Sequence, residues 1–176
     1  MITADTPGTP IEVFISYSHR DEPLRRALED HLSLLRRQSW ISTWHDRQIS
    51  AGTEWVDQID AHLESARMIL LLVSPNFMAS EYCYGVELRR ALERHAAGEA
   101  RVIPVILRPV DWKDAPFGKL QSLPKDGKPV TSWRNRDGAF ANIGEGIRRA
   151  IEDLRSTVLS RVQSLALNMR MSAQLK

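Results

Sequence analysis

The chain has 176 residues, 43% of them hydrophobic and 26% charged, with a formal charge of +2. That suits one α/β domain with a sizeable core, and so even a charge balance makes no case for nucleic acid. A single cysteine, Cys83, rules out an intrachain disulfide framework and a cysteine-built zinc site, and the five histidines supply no ligand pair on one predicted helix, so no metal is expected.

Residues 1–10, with two prolines and three threonines, read as a disordered leader without the basic-then-apolar order of a secretory signal. Val13-Phe14-Ile15 suits a strand buried on both faces. Asp21 or Glu22 can cap the next helix, Pro23 fits its first turn, and Leu24, Leu28, Leu32 and Leu35 keep helical spacing. Trp40 to Trp44 is a second strand, followed by the loop DRQISAG. Thr53 is expected to cap a helix with Val56, Ile59 and Leu63 on its apolar face.

Met68 to Val73 (MILLLV) is the strongest strand, and its two-sided apolarity predicts the centre of a parallel sheet. It is also the longest apolar run, too short to span a membrane. Ser74-Pro75-Asn76 ends it, and Ser80 caps a helix running to about His95. Val102 to Leu107 is a fourth strand in which Pro104 removes a ladder donor, pointing to an irregular or edge-side position. Residues 108–128 are loop-rich, Pro129 to Thr131 is a candidate fifth strand, and a last helix begins near Ala139 with Phe140, Ile143, Ile147, Ile151 and Leu154 on one face. Its apolar spacing continues through Val158, Val162, Leu165 and Met169, with four basic and no acidic residues after Leu154. We read 155–176 as a helical extension or linker. A basic amphipathic helix for a partner or a membrane surface is the competing reading.

Strands alternating with helices imply βαβ units. The expected fold is therefore a flavodoxin-like, doubly wound parallel sheet of about five strands with helices on both faces. Ligands of such sheets bind beyond the carboxyl ends of the strands. This directs attention to Ser16-Tyr17-Ser18-His19, His45-Asp46-Arg47 and Ser74-Pro75-Asn76. Neither a G-x-G-x-x-G loop nor a P-loop follows the first strand, and Ser16 and Ser74 stand where a phosphorylated receiver would need acids. Glu87 lies one turn beyond Cys83 and Tyr84 and one turn before Ala91. A carboxylate among such neighbours is either paired, with Arg90 three residues on, or put to use. His19 with Asp21 is a possible base and orienter, against the alternative of a solvated loop histidine. Cys83 reads as a small packing residue rather than a nucleophile, and Trp44 and Trp55 as core.

The order of these segments carries more than any of them singly. VFISYSHRD resembles the opening motif of TIR (Toll/interleukin-1 receptor) domains, and WHDRQISAG the entry to their mobile BB loop. MILLLVSPNFMASEYCYGVEL is similar to their third strand, serine-proline turn and glutamate helix. RVIPVILRPVDW and APFGKLQSLPKDGKPVTSW resemble the variant of bacterial, NAD-cleaving TIR proteins. The likeness covers about residues 11–154.

The resemblance implies an NAD⁺ nucleosidase that releases nicotinamide and leaves ADP-ribose or a cyclic product. No cofactor is needed besides the substrate. Glu87 falls at the catalytic glutamate position. Tyr17, Ser18 and His19 fall in the loop that approaches the nucleotide, and Trp44, Asp46 and Arg47 at the mouth of the BB loop. Cys83 falls where many members carry a substrate-packing tryptophan, with Tyr84 beside it as an alternative aromatic face. Also implied are a cytoplasmic location, activation by assembly with other TIR domains through the BB loop, an attached sensor beyond residue 176, and a role in antiphage defence. The alternative is a non-catalytic TIR–TIR interaction module. No nucleic-acid or membrane partner is expected.

Overall fold

The strand β3 (Met68–Val73) is buried at every position, and its alternate side chains feed two separate cores. Met68, Leu70 and Leu72 join one layer, and Ile69, Leu71 and Val73 the other, as a strand covered on both faces requires. A computed structural model describes residues 8–48, 51 and 54–174 of the chain. Within them β1 (Ile11–Ser16) and β2 (Ile41–Trp44) lie to one side of β3 and β4 (Arg101–Ile106) to the other. All pairings are parallel, and the four strands run in the order β2–β1–β3–β4.

Helices cover both faces. On one side lie α1 (Glu22–His31) and α2 (Ser33–Arg37), which supply Leu28 and Leu35. On the other lie α3 (Trp55–Ser65) and α4 (Pro75–Ala79), through Ile59, Leu63 and Phe77. That second layer is completed by α5 (Leu88–Ala96), and the first by α6 (Arg136–Gln174) through Phe140, Ile143, Ile147 and Ile151. This is the doubly wound α/β architecture expected from the alternating pattern.

The expected fifth strand is absent among the described residues. Val130–Ser132 forms a 3₁₀ turn, with Val130 fully buried. The place beside β4 is already taken: the Leu123 amide donates to Pro104 O and the Leu123 carbonyl accepts from Ile106 N, both at 2.8 Å. Pro129 also lacks the amide that another ladder rung would need. Pro104 itself sits on the edge strand β4, the position its missing N–H allows.

Local signals fared variously. Pro23 stands in the first turn of α1, but the Asp21 side chain makes no cap bond. Ser74 caps α4 by accepting from Phe77 N at 3.0 Å. Ser80 accepts from Cys83 N at 3.2 Å, as its capping role requires. The helix expected from Ser80 to His95 is instead a π-helical turn, Tyr82–Glu87, running into α5. Val56, placed on an apolar face by spacing, is 53% exposed. The Thr53 cap and residues 1–7 of the leader lie outside the described residues, as does the Trp55 side chain.

The last helix starts at Arg136 and continues for 39 residues. Burial ends near Leu154, where Arg148 and Arg155 sit over the Trp40 ring at 5.2 and 4.8 Å. Beyond, Leu159, Val162, Leu165 and Met169 are exposed. Among the described residues no helix is long and apolar enough to cross a membrane.

Candidate active site

The chain winds from β1 outward to β2 and then returns past β1 to β3, so the connections diverge between β1 and β3. A crevice opens at such a divergence, beyond the carboxyl ends of the strands. Register Ser16↔Leu71 sets Ser16 at that edge. Here a cavity of about 310 Å³ is lined by the segment Phe14–Arg20, by Asp46, and by Ser80, Cys83 and Glu87.

Glu87 is the last residue of the π turn and is 6% exposed. A π turn widens the helix by one residue per turn and is common at functional sites. Its carboxylate accepts a hydrogen bond from Ser16 Oγ. Burial pushes the Glu87 carboxyl up to about 7; the Ser16 hydroxyl opposes that rise, and the nearby charges of Asp46 and Asp60 add to it. Arg90, the alternative partner by spacing, turns away to Glu64 at 2.6 Å and Glu93 at 3.1 Å. Among the described residues no lysine or arginine pairs with Glu87.

His19 does not pair with Asp21. Its Nε2 meets Asp46, joining the segment after β1 to the segment after β2 across the cavity. Asp21 is buried instead, accepting from Ser74 Oγ and pairing with Arg108 Nε at 3.1 Å. It thus anchors the turn His19–Asp21 to the ends of β3 and β4. Cys83 donates from Sγ to Tyr17 O at 3.4 Å, and burial with the adjacent Glu87 charge pushes its thiol up to about 11. A thiol protonated at neutral pH is a wall, not a nucleophile.

Tyr17 lines the cavity, but its hydroxyl donates to Glu22 Oε2 on α1 at 2.5 Å. Burial raises the phenol well above its ordinary value, helped by that hydrogen bond. Arg25 lies over the Tyr17 ring at 5.3 Å. Of the nine residues that the family resemblance assigned to the site, Tyr17, Ser18, His19, Asp46, Cys83 and Glu87 meet here. Three do not. Trp44 is stacked in the core on His62 at 4.2 Å and Phe14 at 5.3 Å. Arg47 is exposed on the turn Asp46–Gln48. Tyr84 lines a separate apolar groove with Leu88, Leu92 and Pro116.

Ser16, Arg20 and Ser80 line the cavity without having been singled out as site residues. Ser16 was visible as a strand-end residue, but its partner is 71 positions away and no spacing rule links them. Among the described residues no group of three His, Cys, Asp or Glu side chains is placed to hold a metal ion.

The family model described as TIR domain matches residues 13–143. A Sinorhizobium fredii protein named "Uncharacterized protein y4lF" is 55% identical over 138 residues, covering 78% of this chain and 43% of that one. A probable disease resistance protein of Arabidopsis thaliana is 25% identical, over 77% of this chain and 8% of its own length. The chain therefore spans less than half of either curated relative. The crystal structure of the TIR domain of the Toll-related receptor TRR-2 from Hydra magnipapillata shares the fold. Its TM-score is 0.52 at 20% identity, and the match covers 77% of this chain and 97% of that one.

Proposed function

The chain belongs to the TIR domain family, and we propose that it is an NAD⁺ nucleosidase in which Glu87 is the catalytic carboxylate. One observation carries this: a buried glutamate without a cationic partner among the described residues, on the wall of a cavity at the carboxyl edge of the sheet.

The chemistry asks little else of the protein. Nicotinamide is bound to ribose as a pyridinium, so breaking the C–N bond returns its electron pair to the ring nitrogen and releases a neutral molecule without a general acid. What remains is an oxocarbenium-like ribosyl cation. An ionised Glu87 holds the ribose hydroxyls and faces that charge, and the apolar wall around it strengthens the attraction by excluding water. Water then adds at the anomeric carbon and gives up a proton, yielding ADP-ribose; attack by an adenine nitrogen yields the cyclic product instead. With Glu87 near 7, the reactive carboxylate form grows as pH rises through neutrality. A cavity of about 310 Å³ is at the small end for ligand sites and receives the nicotinamide riboside half of the dinucleotide.

The wider role follows the family likeness: a cytoplasmic protein that assembles through its BB loop, answers to an attached sensor, and depletes NAD⁺ or makes a nucleotide signal in antiphage defence. The apolar groove of Tyr84, Leu88, Leu92 and Pro116 favours a second reading, a TIR–TIR interaction module without catalysis.

Nicotinamide release by the clustered protein, beside Glu87→Ala, separates them. Release from wild type alone supports the enzyme. Equal, background-level release from both leaves the interaction module. Release from both at a catalysed rate removes Glu87 from the chemistry.

A further inference from the structure

Ser16 is 2% exposed and is the last residue of β1, so its position is set by backbone pairing rather than by a loop. Its only hydroxyl proton is directed at Glu87 Oε2. Glu87 sits on a π turn that leads into α5, and the Cys83 thiol of that turn also reaches the end of β1 through Tyr17 O. The hydrogen bond therefore ties a π turn to a strand that is paired on both sides within the sheet. We infer that Ser16 is a positioning residue: its hydroxyl fixes the Glu87 carboxylate against the end of β1 and stabilises its charged form. This rests on Glu87 being the reacting group of the cavity.

The residue type matters. An arginine at this place would hold the carboxylate ionised, but it would also cancel the negative field that a ribosyl cation needs. An alanine would leave the carboxylate free to rotate and to take up a proton. A serine orients the group and favours its charged form while adding no net charge. The other groups facing Glu87 do not replace it. Asp46, after β2, and Asp60, on α3, both disfavour the anion, and the Cys83 thiol on the same turn is protonated and bonded to Tyr17 O. His19 Nε2 meets the Asp46 carboxylate from the segment after β1.

The test uses the full chain labelled with carboxyl-¹³C glutamate, with the Glu87 resonance assigned by its loss in Glu87→Gln. The expected titration midpoint lies near pH 7 in wild type. It moves up by about 1 pH unit in Ser16→Ala and stays in Ser16→Thr, which keeps the hydroxyl. An unchanged midpoint in a folded Ser16→Ala protein overturns the inference. Should that variant not fold, a Ser16→Cys protein, whose thiol is a weaker donor, must still move the midpoint upward or the inference fails. The activity arm distinguishes the two levels. In an active enzyme Ser16→Ala lowers kcat with little change in KM for NAD⁺, and it moves the acid limb of the pH profile by the same amount as the midpoint. A wild type that releases no nicotinamide, with a midpoint that still responds to Ser16→Ala, sinks the proposed activity and leaves the positioning standing. An active wild type whose midpoint and acid limb ignore Ser16→Ala does the reverse.

Discussion

Glu29 and Glu87 are both buried, at 8% and 6% exposure, and the fold treats them oppositely. Glu29 belongs to a cluster on α1. Arg25 pairs with it, Thr43 Oγ1 donates to it at 2.9 Å, and His45 Nε2 lies 3.6 Å away. The same Arg25 reaches Glu22 at 2.6 Å. Burial raises Glu22, but the hydrogen bonds from Arg25 and Tyr17 outweigh it and bring it down to about 2. Around Glu87, one serine hydroxyl replaces all of this, and burial prevails. A buried carboxylate that is fully paired ties elements together; one that is held but not neutralised keeps an electrostatic capacity for a ligand.

Breaking the paired cluster should have the largest effect on the fold. Arg25→Met removes the buried cation that Glu22 and Glu29 share and is expected to cost about 3 kcal/mol in urea denaturation. A loss under 1 kcal/mol would show that the cluster is not structural. Next comes Glu87→Ala, which should lower nicotinamide release by roughly 10²–10³-fold without lowering Tm. A matching drop in Tm would place Glu87 with Glu29, as a structural residue.

The two regions also differ in the sign of their pH dependence. Because the Glu87 carboxyl is raised, the folded protein holds a proton that the unfolded chain has lost between about pH 4.5 and 7, so its contribution to stability falls as pH rises through that window. Glu22 works in the other sense: its contribution is present above about 4.5 and is lost as pH falls toward 2. His45, lowered to about 4 by burial and by Arg25, is destabilising as pH falls from 6.5 toward 4, so wild-type stability alone mixes the two regions. The difference between Glu87→Gln and wild type isolates one of them. It should favour the variant by up to about 3 kcal/mol above pH 7 and shrink toward zero by pH 4.5. A difference independent of pH would mean that Glu87 is not raised.

The smallest effect should come from Arg90→Ala. Its contacts with Glu64 and Glu93 are exposed and screened by solvent, so neither Tm nor nicotinamide release should change measurably. A large loss of activity would revive Arg90 as the partner of Glu87.

Much of the architecture was legible because burial writes itself into local pattern. The run MILLLV, apolar on both faces, placed β3 in the interior, and Pro104 announced an edge. The order of four strand-end and helix motifs led to the family that the 13–143 match identifies. Competition for one place in space was not legible. Pro129 to Thr131 reads as a strand on its own, and only the presence of Leu123 beside β4 excludes it.

By itself, then, the sequence determined the alternating α/β layering, the family and the segments that reach the carboxyl edge, since each depends on residues close together in the chain. Tertiary structure alone decided which partner each polar group took. Spacing offered Glu87 to Arg90 and His19 to Asp21; folding gave Arg90 to Glu64, His19 to Asp46 and Glu87 to Ser16. Those choices hang on distances between segments tens of residues apart, and on a π turn that shifts the helix by one residue, neither of which local pattern encodes.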